Sequence, residues 1–514
     1  MMPSIHPTHT LSLGLLLQKL AAPLAPPIDS LVVSGVQIDS RKVRPGDLFL
    51  ACSGYQHDGR RYIAEAIAAG AVAVVSEALY PEAVADIPVS SSALVPIIKL
   101  AELSSLCSEI AGRFYHHPSR QMPVLAVTGT NGKTSCSQLM MQLLVACDKR
   151  CAVIGTLGMG VDGQLSDTGN TTPDAVSLQR QLASWQLDGV DVVAMEASSH
   201  GLAQGRLAAL EIELALLTNL SRDHLDYHGS MQAYANAKAL LFQQPGLKYV
   251  VLNDDDSFSR DLLDVLDAGT GVVRYSIEQR IPGGADVWVD ALVYSGTGVS
   301  GMLHTPWGDS LFSSPLLGGF NLSNLLAVIA CLAVRGQPLA TLVAAARNLQ
   351  TIAGRMEAVV CAAADINVVV DYAHTPDALE QALKALRLHN TAGKLWCVFG
   401  CGGDRDQGKR PKMGSAVEHH CDHVIVTSDN PRFESAEQII NEILSGVQRP
   451  SLVEADRAKA IEFAVMHAAS GDSILIAGKG HEQYQQLGDE KIPFDDFKQA
   501  RLALAKRCNS GGGQ

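Results

Sequence analysis

The chain has 514 residues, of which 47% are hydrophobic and 18% charged, and its formal net charge is −13 at pH 7. This length exceeds what one hydrophobic core supports, and the composition is that of a folded globular protein without extended disorder. The negative charge disfavours nucleic acid as a partner, because phosphate backbones are bound by clustered Lys and Arg. We therefore expect three folded domains.

Cysteine usage and apolar segments exclude two further classes of protein. The 11 cysteines lack paired CxxC spacings, so neither a disulfide framework nor a zinc ribbon is indicated. The apolar stretch 11–24 is interrupted by Gln18, Lys19 and Pro23, which favours an amphipathic helix over a signal peptide. No apolar run reaches the roughly 20 residues that span a bilayer. We expect a cytoplasmic protein that does not bind a membrane.

In chain order, the predicted elements form three blocks, residues 1–102, 103–352 and 353–514. The first block mixes short strands with Ala-rich helices, and a longer helix is predicted from Ile97 to Phe114. The other two alternate strands with helices, which is typical of a parallel sheet with crossover helices. The predicted fold class is α/β. It combines a small N-terminal α/β domain, a central P-loop-type domain with a mostly parallel sheet and flanking helices, and a C-terminal Rossmann-like domain.

The second block opens with the most informative segment of the chain. An apolar strand from Val124 runs into the turn Gly129-Thr-Asn-Gly-Lys-Thr-Ser135. Backbone N–H groups, the start of the next helix and Lys133 supply positive charge for phosphates, and a hydroxyl of Thr134 or Ser135 can hold Mg²⁺. The turn is shorter than the usual P-loop, but a bland turn rarely combines all these features. The segment predicts ATP binding.

Six apolar strands end in clusters of polar residues. In open α/β sheets the carboxyl ends of the strands line the ligand crevice. Any one cluster alone is more often a simple turn, and the coincidence of six indicates a site shared between domains. The clusters are Glu196–His200, Thr218–His224, Asp371–His374, Gly400–Arg405, Asp429–Arg432 and Gly478–Glu482.

These segments, together with the phosphate turn, Phe320–Asn324 and Gly354–Glu357, resemble the Mur ligases of peptidoglycan synthesis. The resemblance extends from Asp39-Ser-Arg41 to Gly478–Glu482 and is strongest to the members that add meso-diaminopimelate. It implies that ATP phosphorylates the D-glutamate γ-carboxylate of UDP-N-acetylmuramoyl-L-alanyl-D-glutamate, and that the diaminopimelate amine attacks the acyl phosphate. Mg²⁺ and cationic donors must neutralise the charge that grows in the transition state.

The resemblance also implies the catalytic and ATP-binding residues. Lys133 would pair with the β- and γ-phosphates, and Thr134, Glu196 and His224 would bind Mg²⁺. Lys238 matches the lysine that family members carry as N6-carboxylysine, which would help to bind a second Mg²⁺. From sequence alone, Lys238 would be a solvated helix residue and His224 an ordinary loop histidine. The implied ATP-binding residues are Gly129, Thr130, Asn131, Gly132, Lys133, Thr134, Ser135, Asn321 or Asn324, Arg355 and Asp371, and His374 would assist.

Two further sets of residues match the family's substrate sites. Arg206 is the natural partner of a substrate carboxylate or pyrophosphate because its planar guanidinium binds anions bidentately. The implied residues for the UDP-muramyl substrate are Ile38, Ser40, Tyr55, Gln56, His57, Asn170, Thr171, Thr172, Ser198, Gln204 and Arg206. Those for diaminopimelate are Arg405, Asp429, Asn430, Pro431, Arg432, Gly478 and Glu482.

The choice of amino acid is the most specific expectation. Meso-diaminopimelate has one carboxylate more than lysine, so a selective site needs a cation for it and an acceptor for the far ammonium. Arg405 and Arg432 would bind the carboxylate, and Glu482 and carbonyl groups near Gly478 the ammonium. In the alternative interpretation, Arg432 only pairs with Glu434 at the surface.

Two other functions stay open. A folate polyglutamylating ligase would share the phosphate turn and the reaction type but would not require the Asp429–Arg432 and Gly478–Glu482 clusters. A catalytically silent sensor of nucleotide or muramyl peptide would not need Lys133, Glu196, His224 and Lys238 together. We further expect a monomer, and domain closure that excludes water from the acyl phosphate.

Overall fold

The computed structural model describes residues 9–54, 58–78, 95–278, 284–295, 298–361, 364–390 and 392–510. The predicted substrate residues Tyr55, Gln56 and His57 lie outside these ranges. Within them the chain forms three larger sheets, each flanked by helices. The α/β class with a mostly parallel central sheet is confirmed. The borders predicted near residues 102 and 352 stay predictions.

The first sheet is small, and its neighbouring strands are all parallel. In spatial order its strands are Gly35–Gln37, Asp47–Ala51, Ala73–Glu77 and Ile97–Leu100. A two-stranded antiparallel ribbon precedes it, made of Leu11–Ser12 and Val32–Val33. The helices of this region are Leu13–Leu17, Pro26–Asp29, Ile63–Ala68 and Leu103–Phe114, with 3₁₀ turns at Ser40–Lys42 and Gly59–Tyr62.

The predicted bounds of two helices in this region were wrong. The helix expected from Ile97 begins only at Leu103, because residues 97–100 are the edge strand and Glu102 has a left-handed backbone with φ of 54°. The amphipathic helix expected over residues 11–24 is limited to Leu13–Leu17. Its buried leucines pack against the first sheet, so burial follows the amphipathic pattern although the helix is short.

The second sheet carries the phosphate turn near its centre. Its strands, in spatial order, are Gln164–Ser166, Gly158–Val161, Cys151–Gly155, Val192–Glu196, Val124–Thr128, Ile212–Leu217, Tyr249–Asn253, Gly271–Ser276, Val287–Ser295, Gly298–His304 and Ser310–Ser314. The strands from Cys151–Gly155 through Val287–Ser295 pair in parallel, as predicted. Both ends of the sheet are antiparallel, which the sequence pattern did not predict.

The helices around the second sheet cover both of its faces. They are Lys133–Val145, Ala175–Leu187, Ser199–Ala203, Leu225–His228, Met231–Ala239, Phe258–Leu263, Gly319–Val334 and Leu339–Ala346, with a 3₁₀ turn at Pro118–Arg120. The helix Gly319–Val334 is apolar on nearly every side and buried along most of its length. Leu317 and Phe320 at its start pack on the core of the third sheet, which joins the two regions.

The third sheet has the strand order Glu357–Ala358, Asn367–Asp371, Ser473–Ala477, Leu395–Phe399, His423–Val426 and Leu452–Val453. Its first pair is antiparallel and the others are parallel. A hairpin follows, made of Tyr484–Leu487 and Glu490–Pro493. The helices are Pro376–His389, Arg410–His420, Ala436–Leu444, Arg457–His467 and Asp496–Ser510, with a 3₁₀ turn at Gln407–Lys409. Among the described residues, no helix is long and apolar enough to cross a membrane.

Candidate active site

The phosphate turn follows the central strand Val124–Thr128 directly, and the helix Lys133–Val145 begins at its end. Its two glycines are required by close packing. A Cβ on Gly129 would lie 1.9 Å from Thr218 Oγ1, and one on Gly132 would lie 2.5 Å from Asn324 Oδ1. Both also have positive φ, of 147° and 88°. The turn therefore holds its backbone N–H groups next to the helix N-terminus, where an anion is stabilised.

Two lysines converge on this turn. Lys133 Nζ donates to the carbonyl groups of Gly129 and Thr130, at 2.8 Å each. Lys238 Nζ donates to the same Gly129 carbonyl at 2.7 Å and lies 4.3 Å from the ring centroid of Tyr234. Lys238 is fully buried. The solvated side chain that is expected of a helix lysine in general is therefore not found here. Burial lowers the pKa of both amines, well below the usual value for Lys238, and the charge of Lys133 adds to that effect.

Glu196 ends the neighbouring strand Val192–Glu196 with its side chain buried. Its carboxylate accepts hydrogen bonds from Thr156, at 2.9 Å from the backbone N–H and 3.1 Å from the hydroxyl. Its negative charge opposes the lowering of the Lys133 pKa. The carboxylate thus lies within electrostatic reach of the turn lysine, where it also has access to a phosphate-bound cation.

Histidine and tyrosine rings form a cluster near the two lysines. His200 lies 5.0 Å from His224, 5.5 Å from His228 and 4.1 Å from Tyr227, measured between ring centroids. His224 has a left-handed backbone with φ of 54°, and its Nε2 lies 3.6 Å from the Asp223 carboxylate. Burial lowers the pKa of His224, and Asp223 opposes this only in part. The neutral imidazole that results is the form that can bind a metal.

The donor set suits Mg²⁺ only if substrate oxygens complete it. Among the described residues, no three His, Cys, Asp or Glu side chains form a ready metal cluster. Mg²⁺ is commonly held by one or two carboxylates, substrate phosphates and water. Glu196 and the buried Thr134 hydroxyl offer oxygen ligands beside the phosphate turn, and His224 offers a neutral nitrogen. The residues therefore fit a cation that arrives with a triphosphate.

A cavity of about 340 Å³ lies between the second and third sheets, next to the phosphate turn. Its lining includes Asn131, Gly132, Ser135, Asn324, Arg355 and Asp371 of the predicted ATP residues. Asn321 is not among the lining residues, and its amide donates to the Leu317 carbonyl at 2.9 Å. The structure thus places Asn324, rather than Asn321, at the nucleotide cavity.

Arg355 and Asp371 close this cavity from the third sheet. Arg355 Nη2 lies 3.4 Å from Thr134 Oγ1, and its guanidinium stacks 4.7 Å from the Tyr372 ring centroid. The Asp371 carboxylate accepts the N–H groups of Met356 and Ala373, at 2.7 Å each. Burial raises the pKa of Asp371, against the opposing effects of Arg355 and these hydrogen bonds. His374 Nδ1 donates to the Tyr372 carbonyl at 2.7 Å.

The residues matched to the UDP-muramyl substrate form a connected network on the other side of Glu196. Arg206 is bound on one edge by Gln204 Oε1, at 3.0 and 2.6 Å, and its Nη1 donates to the Thr172 carbonyl. Thr172 Oγ1 donates to the Glu196 carbonyl at 2.8 Å and accepts from the Ser198 N–H at 3.1 Å. The network links the Arg206 guanidinium to the strand end that carries Glu196.

The other matched positions lie at its margins. Thr171 Oγ1 is 3.1 Å from Thr156 Oγ1, and Asn170 is exposed, with its carbonyl accepting from Thr168. Ser40 is buried at the start of a 3₁₀ turn of the first sheet, and Ile38 packs partly on that sheet's core.

The residues matched to diaminopimelate are gathered at the carboxyl ends of strands His423–Val426 and Ser473–Ala477. Asn430 Nδ2 donates to Glu482 Oε2 at 2.7 Å, which joins the two loops. Gly478 has φ of 112°, and a Cβ there would lie 2.5 Å from Asp429 Oδ2, so a side chain would displace that carboxylate. Pro431 is buried, and its carbonyl accepts the N–H of Glu434 at 3.0 Å. Arg405 is exposed at the rim of this cluster.

Arg432 has no carboxylate partner within salt-bridge distance in the described chain. Its Nη1 donates to the Gly403 carbonyl at 2.6 Å, and its backbone has φ of 51°. Glu434 instead pairs with the buried Arg410 at 2.8 Å and accepts the Asp404 N–H. The surface pair between Arg432 and Glu434 is therefore wrong. The Arg432 guanidinium is left available to an anion.

Several residues of both sites were not predicted from the sequence. Lys479 is fully buried at the centre of the amino-acid cluster, and Tyr372 stacks on Arg355. Asp255 and Asp256 directly follow the strand Tyr249–Asn253, so the strand-end rule could have identified them. Lys479 follows the strand Ser473–Ala477 inside one of the six predicted clusters, but its burial was not predicted, because lysine is rarely buried. The unpredicted residues that line the nucleotide cavity include Asn253, Asp255, Asp256, Ser323 and Asp377.

Comparison with known proteins places this geometry among the Mur ligases. Three family models match: "Mur ligase family, catalytic domain" over residues 32–115, "Mur ligase middle domain" over 127–332 and "Mur ligase, glutamate ligase domain" over 354–480. Two relatives are named UDP-N-acetylmuramoyl-L-alanyl-D-glutamate–2,6-diaminopimelate ligase. The one from Coxiella burnetii is 45% identical over 92% of this chain and 96% of its own, and the one from Pseudomonas aeruginosa is 47% identical over 92% and 96%.

A solved structure of a protein of the same name is similar over almost the entire chain. It has a TM-score of 0.68 and 37% sequence identity, and the match covers 97% of this chain and 99% of that one. The match therefore extends over all three sheets.

Proposed function

The chain belongs to the Mur ligase family, and on that premise we propose that it joins meso-diaminopimelate to the D-glutamate γ-carboxylate of UDP-N-acetylmuramoyl-L-alanyl-D-glutamate. The reaction consumes ATP and yields ADP and phosphate. The choice of amino acid rests on one observation. The same cluster contains Arg432, which has no carboxylate partner among the described residues, and the carboxylates of Asp429 and Glu482. That arrangement complements an amino acid with a carboxylate and an ammonium at its far end.

The first step is transfer of the γ-phosphoryl group to a carboxylate oxygen. One P–O bond forms as the bond to ADP breaks, and the product is an acyl phosphate. Lys133, Arg355 and the N–H groups of the turn stabilise the negative charge that two approaching anions create. Mg²⁺, held by Thr134, Glu196 and His224, would supply further charge neutralisation. Arg206 would hold the muramyl substrate through a carboxylate or the pyrophosphate.

The second step is attack of the diaminopimelate amine on the acyl carbon. A C–N bond forms, the C–O bond to phosphate breaks, and the amine loses a proton. Arg432 and Arg405 would bind the far carboxylate, while Glu482 would accept the far ammonium. Lysine lacks that carboxylate, so it would leave Arg432 desolvated without an anion, and such mismatches cost factors of about 10⁴ in specificity.

We assign Lys238 as a carboxylated lysine. Its burial and lowered pKa favour the neutral amine, which is the nucleophilic form that adds CO₂ with loss of a proton. The carbamate would turn a buried cation into an anion suited to a second Mg²⁺. ¹³C NMR of the protein in labelled bicarbonate should show a carbamate signal that is absent from Lys238→Ala. An identical spectrum from the variant would refute the assignment.

We further propose that the enzyme acts in the cytoplasm, where nucleotide-linked peptidoglycan precursors are made, and that it acts as a monomer. Size-exclusion chromatography with light scattering tests the second point, and a dimer mass would contradict it. A folate-ligase function lacks a use for the Arg432 and Glu482 cluster. A silent sensor lacks a use for the two lysines that converge on the phosphate turn.

The decisive experiment measures phosphate release and product mass with ATP, Mg²⁺ and UDP-N-acetylmuramoyl-L-alanyl-D-glutamate. Parallel reactions contain meso-diaminopimelate, L-lysine or no amino acid, and one further reaction offers a reduced folate with glutamate. We expect turnover with diaminopimelate alone and none from Lys133→Met. Equal turnover with lysine would refute the proposed specificity, and turnover only with folate would replace the proposed function.

A further inference from the structure

Lys479 is a buried lysine at the centre of the amino-acid cluster. Its side chain has no solvent exposure. Its Nζ donates to Asn430 Oδ1 and to Glu482 Oε2, at 3.0 Å each, and lies 3.9 Å from Asp429 Oδ1. Because these groups surround Nζ, the ammonium is not available to bind a substrate directly. Its effect on a ligand must pass through its neighbours.

The first neighbour, Asn430, is held in one orientation. Its Oδ1 accepts from Lys479 and from the Gln486 N–H, at 3.0 Å each, and its Nδ2 donates to Glu482 at 2.7 Å. A flipped amide would face two donors with its NH₂ group and a carboxylate with its oxygen. Lys479 is therefore one of three groups, with the Gln486 N–H and Glu482, that fix the direction of the Asn430 side chain.

The second neighbour, Glu482, has one carboxylate oxygen occupied and one free. Oε2 accepts from both Lys479 and Asn430, whereas no hydrogen bond from the described residues reaches Oε1. The carboxylates of Asp429 and Glu482 and the ammonium of Lys479 together carry one net negative charge, and the neighbouring buried pair of Arg457 and Asp496 adds none. One ammonium group of a ligand would balance that charge.

Another residue, Arg457, already connects the loop that carries Asn430 to the loop that carries Lys479. Arg457 is fully buried, pairs with Asp496 at 2.7 Å, and donates to the carbonyl groups of Ser428 and Ala477. These two carbonyl groups directly precede the loops that carry Asn430 and Lys479. The loops are thus connected without Lys479, so a purely structural function does not account for a second buried cation here.

We propose that Lys479 is a positioning residue that orients Asn430 and aims the free oxygen of Glu482 at the far ammonium of the amino-acid substrate. The proposal rests on the function proposed above and deepens it. It makes the acidic half of the cluster a pre-organised ammonium site with a single net charge, complementary to the carboxylate site at Arg432. Without Lys479, the buried carboxylate of Asp429 and the partly buried carboxylate of Glu482 would repel each other and lose their fixed geometry.

The test is steady-state kinetics of Lys479→Met in the full chain, with each substrate varied in turn. We expect the KM for meso-diaminopimelate to rise about ten- to hundredfold, the range for losing a hydrogen-bonded charged contact. The KM values for ATP and for the UDP-muramyl substrate should change by less than about threefold, because neither ligand contacts this cluster. Lys479→Arg, which keeps the charge, should impair diaminopimelate binding less than Lys479→Gln, which keeps only a donor.

Two controls separate positioning from stability. Arg507→Met removes an ion pair with Asp365 and two hydrogen bonds to carbonyl groups in the same domain, away from the cluster. It should lower the Tm and leave the KM for diaminopimelate unchanged. In a double-mutant cycle, Lys479→Met should cost less in a Glu482→Gln background than in the wild type, because its target carboxylate is gone.

The outcomes are distinct. If the wild type does not use diaminopimelate, the proposed function fails, and the role of Lys479 fails with it. If the wild type does use it, an unchanged diaminopimelate KM in Lys479→Met overturns the positioning role alone. If Lys479→Met does not fold, equal effects of the Arg and Gln variants would overturn that role as well.

Discussion

At the scale of single residues, the strongest feature is a guanidinium without a carboxylate. Among the described residues, the Arg432 guanidinium donates only to the Gly403 carbonyl, while Glu434 pairs with Arg410. A buried or half-buried cation that lacks an anion is costly unless a ligand supplies one. The specificity of the site therefore depends on a substrate carboxylate, which would pair with the Arg432 guanidinium that has no such partner in the free protein.

The first prediction follows for Arg432→Met. We expect the KM for meso-diaminopimelate to rise about ten- to hundredfold, because a charge-assisted contact to the far carboxylate is lost. Turnover with L-lysine should not fall, because lysine has no group for Arg432 to bind. Competition assays with both amino acids would measure the change. Arg449→Met, an exposed arginine of the same domain, is the control and should behave as the wild type.

A second prediction concerns pH and two partly buried histidines of the third domain. Burial lowers the pKa of His374 and of His481 to about 4 each, and His481 Nδ1 has no hydrogen-bond partner among the described residues. In the unfolded chain a histidine titrates near about 6.5, so the unfolded state takes up protons first as the pH falls. Stability should be unaffected above that value and fall between about pH 6.5 and pH 4.

Chemical denaturation of the free protein at several pH values would measure this loss. We expect each histidine to contribute about 1 kcal/mol of destabilisation at pH 5, a figure reduced for the partial exposure of the rings. His374→Gln should flatten the pH dependence, whereas His467→Gln, an exposed histidine, should not. A profile that is equally steep in both variants would contradict the assignment.

At the scale of elements, the strand Ser473–Ala477 has a positive-φ glycine near each end. Gly471 has φ of 88°, and a Cβ added there would meet no atom of the described residues within 4 Å. Gly478 has φ of 112°, and a Cβ there would lie 2.5 Å from Asp429 Oδ2. The two positions share backbone strain and differ in the steric conflict. They form a matched pair for separating conformational cost from damage to the site.

The third prediction compares Gly471→Ala with Gly478→Ala. Both should lose about 1 kcal/mol of unfolding free energy, because a side chain is disfavoured at positive φ. Only Gly478→Ala should also raise the KM for diaminopimelate, because its Cβ would displace the Asp429 carboxylate. Denaturation curves and steady-state kinetics on the same preparations give both values. Equal KM values for the two variants would contradict the role of Gly478.

The sequence predicted elements well where a strong local pattern agreed with the tertiary contacts. The strand Val124–Thr128, the turn and the helix from Lys133 follow from glycine spacing and apolar run alone. The run Ile97–Leu100 was predicted as helix because four residues are too few to distinguish the two periodicities, and its pairing with Ala73–Glu77 decides the outcome. Lys479 and Lys238 could not be predicted as buried, since each depends on a partner that is far away in the chain, the Asn430 side chain for Lys479 and the Gly129 carbonyl for Lys238.

At the scale of the whole molecule, the candidate site is divided between two sheets. The phosphate turn belongs to the second sheet, and the amino-acid cluster to the third. Their present connections include a hydrogen bond from Asn131 to Asp377 at 3.3 Å and an exposed ion pair between Arg222 and Asp406 at 3.3 Å. Exposed ion pairs contribute little to stability, so these contacts allow the two regions to rearrange when ligands bind.

The fourth prediction is that ligands close the molecule. With a non-hydrolysable ATP analogue, Mg²⁺ and the UDP-muramyl substrate, small-angle X-ray scattering should show a smaller radius of gyration than for the free protein. The physical reason is that Arg355 of the third region and Lys133 of the second would bind one triphosphate from opposite sides. The closed arrangement is favoured because only there do both side chains contribute to the affinity for the triphosphate. Lys133→Met should not compact under the same conditions, because the turn would lose its principal cation. The wild type could instead keep the same radius of gyration with both ligands at saturating concentration. Closure would then play no part in the reaction, and the acyl phosphate must be protected from water by the arrangement already present between the two sheets.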